Sequence, residues 1–429
     1  MKRLKTFFIK SNNIARDSYV WNTLSATIFA VQSAILLMVI TRTNGIEDAG
    51  VFSIAYAVAS LMYYVGEYGV RKYQVSDVNE EMTFTDYHSH RITACVIALI
   101  ASIAYVAYGY YIQGYSVYKA YIVLVICLQK VVEAYSEVYF GRFQQVGRLD
   151  VSAKTNFYRI MFGVIGCIVF LMLTHNMAIS MTAWLFLSMI ATLTSNMLVA
   201  PEFGHIENAF RWNKIKKIFI DCLPLFLGYF LLLYVSNAPK YAIDACMGDQ
   251  DQACYNFIFM PVFAIGMFAN FIFNPILVKL ALRWDDKKFK PFKKIVIRQV
   301  FVIMGITVLA ITVALTIGAP ILGILFSTDL SAYKIDLAIL MIGGGMLALV
   351  NFYAVVITVM RYQQYLTIGY VVMAIFAGIM ANKTVRVYGV RGATILYTAL
   401  MALQSLIFAF ILIFFINKTE KNYTNNPEG

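Results

Sequence analysis

The sequence is poor in charge. Only 14% of its 429 residues are Asp, Glu, Lys or Arg, against about 25% in a typical soluble domain. Too few polar side chains remain to cover a water-facing surface, which excludes an ordinary soluble fold. Histidine is scarce, with four residues. His88 and His90 in "DYHSHR" form a lone pair, and no His/Cys cluster with metal-ligand spacing occurs. No GxxxxGK[ST] is present, so there is no phosphate loop for nucleotide hydrolysis, and no HExxH or nucleophile elbow appears. The longest outward connection runs from about 318 to 334, too short to build an active site. The expectation is a protein that is not an enzyme, with no cofactor and no metal.

What is abundant is apolar surface. Hydrophobic residues make up 60% of the chain and the mean hydropathy is +0.70. Runs of roughly 20 apolar residues, long enough to cross a bilayer as helices, recur throughout. Period-two segments of about ten residues, the mark of a membrane β-barrel, do not. Twelve spans are predicted: 19–40, 49–68, 92–112, 118–140, 157–174, 179–200, 218–241, 255–280, 295–317, 335–360, 366–381 and 390–416. The fold class expected is an all-α polytopic membrane protein of twelve transmembrane helices.

The net charge is +12. Its placement argues against nucleic acid. Of 35 Lys and Arg, 27 fall in the terminal tails and even-numbered connections, seven in the odd-numbered ones, and Lys130 alone in mid-span. Cytoplasmic loops hold the Lys/Arg excess, so both termini are expected in the cytoplasm, with the basic loops against anionic lipid heads. Leu4, Phe7 and Phe8 among lysines predict a short interfacial helix before a retained first span.

An internal echo divides the chain. "GIEDAGVFSIAYAV" starts at Gly45 and "GDQDQACYNFIFMP" at Gly248, pairing Gly45 with Gly248, Asp48 with Asp251 and Phe52 with Tyr255. Two six-helix halves, 1–212 and 213–429, follow. Four prolines, Pro224, Pro239, Pro261 and Pro275, cluster in spans seven and eight, where they free backbone carbonyls and predict a bent pair. Asn270 and Asn274 stand one turn apart to satisfy those groups. The triple glycine 343–345 predicts close helix packing. The basic connection 281–299, with Pro291, is a solvated loop or a hinge. Cys246 and Cys254 flank an outward loop and either pair or remain free thiols.

Span four is the exception to the apolar pattern. "CLQKVVEAYSEVYFGR" puts Lys130, Glu133 and Glu137 within about 60° of one helix face. A charge at a helix centre costs roughly 2.5–3.5 kcal/mol on insertion scales, so this face must meet protein or a wet cavity. Two readings stand: an internal Lys130–Glu133 salt bridge, or a lysine that meets an anionic substrate while the carboxylates set polarity or carry a coupling ion. Arg42, Arg142, Arg159, Lys240 and Arg361 are further basic candidates at span ends. Glu67 and Asp221 are weaker acidic ones.

The polar leads "NGIEDAGVFSIAYAVASL" and "MGDQDQACYNFIFMP", and the outer segment "ILGILFSTDLSAYKIDLAILMIGGG", resemble those of the multidrug/oligosaccharidyl-lipid/polysaccharide (MOP) exporter superfamily. The likeness is greatest to bacterial Wzx-type polysaccharide repeat-unit flippases. Ala253-Cys254 departs from the pattern, and span eleven is short. The resemblance implies two six-helix bundles in a MATE-like V around a central cavity, in the bacterial cytoplasmic membrane. It implies a polyprenyl-(pyro)phosphate-linked oligosaccharide as cargo, flipped by alternating access, with a polysaccharide polymerase and glycosyltransferases as candidate partners. Lys130, Arg42, Arg142, Arg159 and Lys240 would then meet the anionic substrate. Glu133, Glu137 and Glu67 would supply acidic or coupling groups. A cation-coupled drug exporter of the same fold and a non-transporting scaffold of a glycan-assembly complex are the alternatives.

Overall fold

The structure, a computed structural model, describes residues 2–425 other than 78, 208, 274 and 275. It is built almost entirely of helices: α1 (Lys2–Ile9), α2 (Ile14–Asn44), α3 (Ile46–Glu67), α4 (Val70–Ser76), α5 (Phe84–Tyr111), α6 (Val117–Gln145), α7 (Leu149–Thr174), α8 (Met177–Val199), α9 (Trp212–Cys246), α10 (Asp249–Phe273), α11 (Leu277–Asp285), α12 (Phe289–Val313), α13 (Ala319–Phe326), α14 (Lys334–Val359) and α15 (Gln364–Asn425). Nine helices among the described residues are long and apolar enough to cross a membrane. One of them, α15, holds two arms separated at Gly389 (φ 60°). With α6 and α10 these make twelve crossings. In lipid every backbone polar group must find an internal partner, which is why the crossings are helical.

The helix ends follow from local chemistry. Asn13, Ser116 and Asn176 each accept a backbone N–H at the start of α2, α6 and α8, and Thr83 with Asp86 forms a capping box on α5. Such caps satisfy donors that have no partner within the helix. Gly45, at φ 99°, passes the chain straight from α2 into α3. Tyr68 and Gly69 are both left-handed and separate α3 from α4.

The chain divides into two compact units, Met1–Phe230 and Leu231–Gly429. The division falls inside α9 and not at 212/213, because Ile218 and Cys222 of α9 are buried with Val70, Tyr87, Val138 and Phe140 of the first unit. In the first unit α3 packs along α6 and α2 along α7, with α5 against α6. In the second, α10 packs along α14, with α12 beside both. The packing of α3 on α6 in the first unit has a counterpart in α10 on α14 in the second. Phe52 and Tyr255, the paired aromatics, are both fully packed. Asp48 accepts the Tyr118 hydroxyl at 2.9 Å, tying the start of α3 to the start of α6.

The triple glycine brings three helices onto α14. A Cβ on Gly343 would lie 2.6 Å from the Tyr397 ring of α15, on Gly344 2.9 Å from Ile265 of α10, and on Gly345 2.1 Å from Thr307 of α12. Each missing side chain admits a different neighbour.

Two expected boundaries differ. Span eight was expected to run 255–280, but α10 ends at Phe273 and α11 begins at Leu277. Span eleven was expected to stop at 381, yet the helix continues to Gly389, since Asn382, Lys383 and Arg386 lower hydropathy without breaking a helix. The expected interfacial helix is α1. Its Phe7 and Phe8 pack edge-on against Tyr158, while Arg148 and Lys154 donate to the carbonyls of Ile9 and Phe7. Pro291 sits in the first turn of α12, where proline is tolerated, and α9 stays helical through Pro224 and Pro239. Asn274, Pro275 and the side chains of Leu4 and Asn270 lie outside the described residues. All six cysteines are free, Cys246 and Cys254 included.

Candidate functional site

The charged face of α6 is enclosed in the first unit. Two glycines set the spacing. A Cβ on Gly66 would come within 2.9 Å of the Ala134 Cβ, and one on Gly141 within 2.3 Å of the Gln74 carboxamide oxygen. Side chains at either position would push α3 and α4 away from α6. With hydrogens there, the α6 charges meet partners on α3, α4 and α7 at contact distance.

Lys130 is 3% exposed and Glu133 is fully buried. The Lys130 ammonium donates to both Glu133 oxygens, at 3.0 and 3.1 Å. It also lies over the ring of Tyr56, 4.7 Å from its centroid, with Phe29 at 5.4 Å and Tyr63 at 5.8 Å. Arg159 of α7 reaches the same carboxylate, Nη1 to Oε2 at 3.7 Å. Its Nη2 donates to Asn156 at 2.7 Å, and Asn156 donates to Ser25 of α2 at 2.9 Å. Arg159 Nε is buried and has no acceptor among the described residues. One carboxylate therefore faces two buried cations, and the cluster carries an excess of one positive charge.

One turn further along α6, Glu137 binds Arg71 of α4 at 2.7 Å. Arg71 Nη2 also donates to Gln144 at 3.1 Å and Ser152 at 3.3 Å. Glu67 accepts the backbone N–H of Gly69 at 2.8 Å and of Arg71 at 3.4 Å, so it caps the start of α4. All three acidic candidates are engaged by protein donors. Arg71 itself escaped the sequence reading. Nothing in "GVRKYQV" singles it out, and only the turn at Tyr68-Gly69 folds it back onto α6.

The other basic candidates do not join this cluster. Arg42 is exposed in the last turn of α2, at the end of the unit where Tyr118 meets Asp48. Lys130 lies twelve residues beyond Tyr118, about 18 Å along α6. Arg142, in the last turn of α6, clamps Glu80 at 2.8 Å and the Phe203 carbonyl at 2.7 Å. Lys240 lies in the second unit, 6% exposed, with its ammonium 4.5 Å from the Phe259 ring centroid and no carboxylate within 4 Å among the described residues.

Arg91 was also missed. It is fully buried in α5 and donates to the Gly66 carbonyl, one of the acceptors left open where α3 ends. Its Nε and Nη2 have no partner among the described residues. Beside it, His90 packs 4.1 Å from the Phe219 ring. "DYHSHR" is thus a helix-packing segment, and its histidines face aromatic rings.

A family model described as "Polysaccharide biosynthesis protein" matches residues 15–281, more than half of the chain. The chain belongs to the polysaccharide biosynthesis protein family. The capsular polysaccharide biosynthesis protein CapF of Staphylococcus aureus is 23% identical over 328 residues, covering 76% of this chain and 80% of that protein. Among solved structures, an inward-facing multidrug resistance MATE transporter of the MOP superfamily aligns with a TM-score of 0.68 at 11% identity, covering 94% of this chain and 99% of its own. The lipid II flippase MurJ, in an inward closed conformation, aligns with a TM-score of 0.67 at 12% identity, covering 91% of this chain and 87% of its own. At such identities the likeness is one of fold, and it is the twelve-helix fold of the MOP transporters. The twelve-helix fold that the resemblance implied is the fold of these structures. The chain is a multi-pass membrane protein of the polysaccharide biosynthesis protein family.

Proposed function

We propose that this protein flips a polyprenyl-(pyro)phosphate-linked oligosaccharide across the bacterial cytoplasmic membrane by alternating access of its two units, with both termini in the cytoplasm. The observation that carries the reading is the cluster of Lys130, Glu133 and Arg159. Two buried cations share one carboxylate, and the Arg159 Nε–H has no acceptor among the described residues. A buried charge excess in a membrane helix is costly unless an opposite charge arrives, and a pyrophosphate supplies that charge together with acceptor oxygens. The family and the CapF relative support a role in polysaccharide assembly, and MurJ has the same fold. Lys130 and Arg159 engage the phosphate, Arg42 assists at the outer end of the unit, and Lys240 is a candidate contact in the second unit. Arg142 is an anchor.

Drug export by the same fold calls for carboxylates free to meet a cation. Glu133, Glu137 and Glu67 each already hold a protein donor, which favours an anionic cargo. The test is reconstitution in liposomes with a labelled lipid-linked oligosaccharide, scored by its access to a membrane-impermeant reagent. The wild-type protein transfers the lipid between leaflets, and Lys130→Ala abolishes transfer at normal protein levels. No transfer by the wild-type protein supports the scaffold reading. Full activity of Lys130→Ala removes the cluster from the mechanism.

A further inference from the structure

A strip of tyrosines runs from the cationic cluster along α3. Tyr56, Ser60, Tyr63 and Tyr64 fall within about 100° of arc on that helix, and all four are half-buried on an otherwise enclosed span. The strip differs from a lipid-facing surface. On α5 the most open mid-span side chains are Ile92, Val96, Ile97, Ile100 and Ile103. On α3 the open side chains from Tyr56 to Tyr64 end in hydroxyls.

Those hydroxyls are unusual within the unit. Tyr73, Tyr87 and Tyr118 each donate to an aspartate, Asp221, Asp77 and Asp48, at 2.8–2.9 Å. The hydroxyls of Tyr63 and Tyr64 have no hydrogen-bond partner among the described residues. Tyr229 of α9 extends the strip, lying nearly parallel to Tyr64 with centroids 5.8 Å apart. Lys72 donates to its hydroxyl and sits over its ring. A Cβ on the adjoining Gly228 would meet nothing within 4 Å, so there is open space beside Tyr229.

We infer that Tyr56, Tyr63, Tyr64 and Tyr229 form a carbohydrate subsite that reads the glycan of the cargo, next to the phosphate-binding cluster. The inference rests on the proposed lipid-linked substrate. Sugar rings present C–H faces that pack on aromatic rings and hydroxyls that need partners. Tyrosine offers both, and the rings of Tyr56 and Tyr63 lie 4.7 and 5.8 Å from the Lys130 ammonium that would hold the phosphate. The occupant this chemistry fits is a saccharide attached to an anionic head. A greasy cation leaves the hydroxyls unanswered and is repelled by Lys130.

The test uses the full chain in detergent, native mass spectrometry, and two probes. One is polyprenyl pyrophosphate without sugar. The other is the lipid-linked oligosaccharide extracted from the cells that carry the gene. The wild-type protein prefers the sugar-bearing lipid. The double variant Tyr63→Phe/Tyr64→Phe, which keeps both rings, binds the bare lipid as before and loses about tenfold of the preference, as expected for two hydrogen bonds. Tyr64→Ala, removing a ring, lowers it further. Unfolding temperatures separate these effects from misfolding. Retention of the preference by the double variant overturns the subsite, as does equal binding of both lipids by the wild-type protein. Failure of the wild-type protein to bind either lipid instead overturns the proposed cargo.

Discussion

The Arg159 guanidinium lies 3.7 Å from a Glu133 carboxylate that Lys130 already holds at 3.0 Å. The salt bridge expected from sequence exists, but it is half of a three-residue arrangement. This makes the two partners unequal. Removing Lys130 leaves Glu133 paired with Arg159. Removing Glu133 leaves two buried cations with nothing between them.

Glu133→Gln is therefore expected to destabilise by about 3 kcal/mol or more, the usual cost of stranding a buried charge. Lys130→Met should cost much less. The check is the unfolding temperature of each purified variant beside its transport rate. The expected pattern is a fragile Glu133→Gln and a Lys130→Met that is folded but inactive. Equal stability of the two would show that Arg159 does not share the carboxylate.

Arg71 joins α4 to α6 and α7 through Glu137, Gln144 and Ser152. Lysine cannot reproduce that fork. Arg71→Lys is expected to behave like Arg71→Ala, with faster protease cleavage near residues 68–83 and a lower unfolding temperature. Recovery to wild-type behaviour by lysine would reduce the contact to simple charge pairing.

The triple glycine gives a graded prediction. Gly344→Ala meets the flexible end of Ile265 and should be mild. Gly345→Ala meets all of the Thr307 side chain, from 2.1 to 2.9 Å, and should destabilise by about 1–3 kcal/mol. Thr307→Ala should restore part of that loss in the double variant. Unfolding temperatures of the four proteins decide the point.

The cysteines offer a direct chemical check. Alkylation of the denatured chain should add six groups with or without prior reduction, because Cys246 and Cys254 are not joined. Two fewer groups without reductant would contradict this.

Much of this fold is legible in hydropathy. The crossings recur at bilayer length. Span four is instructive, because its charges remove it from any purely apolar count, yet their helical spacing puts them on one face, which the structure encloses. What escaped the sequence depends on backbone turns. Arg71 reaches Glu137 only because two left-handed residues fold α4 back, and hydropathy says nothing of that. Arg159 read as an end-of-span anchor because α7 starts at Leu149, about two turns before the apolar run predicts.

The first helix carries a practical consequence. Two carbonyls of its last turn, on Phe7 and Ile9, are held by Lys154 and Arg148, and Lys5 pairs with Glu202 beyond α8. Residues 2–9 are thus a buckle fastened over α7 and α8. Trimming them for a tag removes the carbonyl acceptors of Lys154 and Arg148, leaving Arg148 with Asp150, so a fusion partner belongs at the other end of the chain.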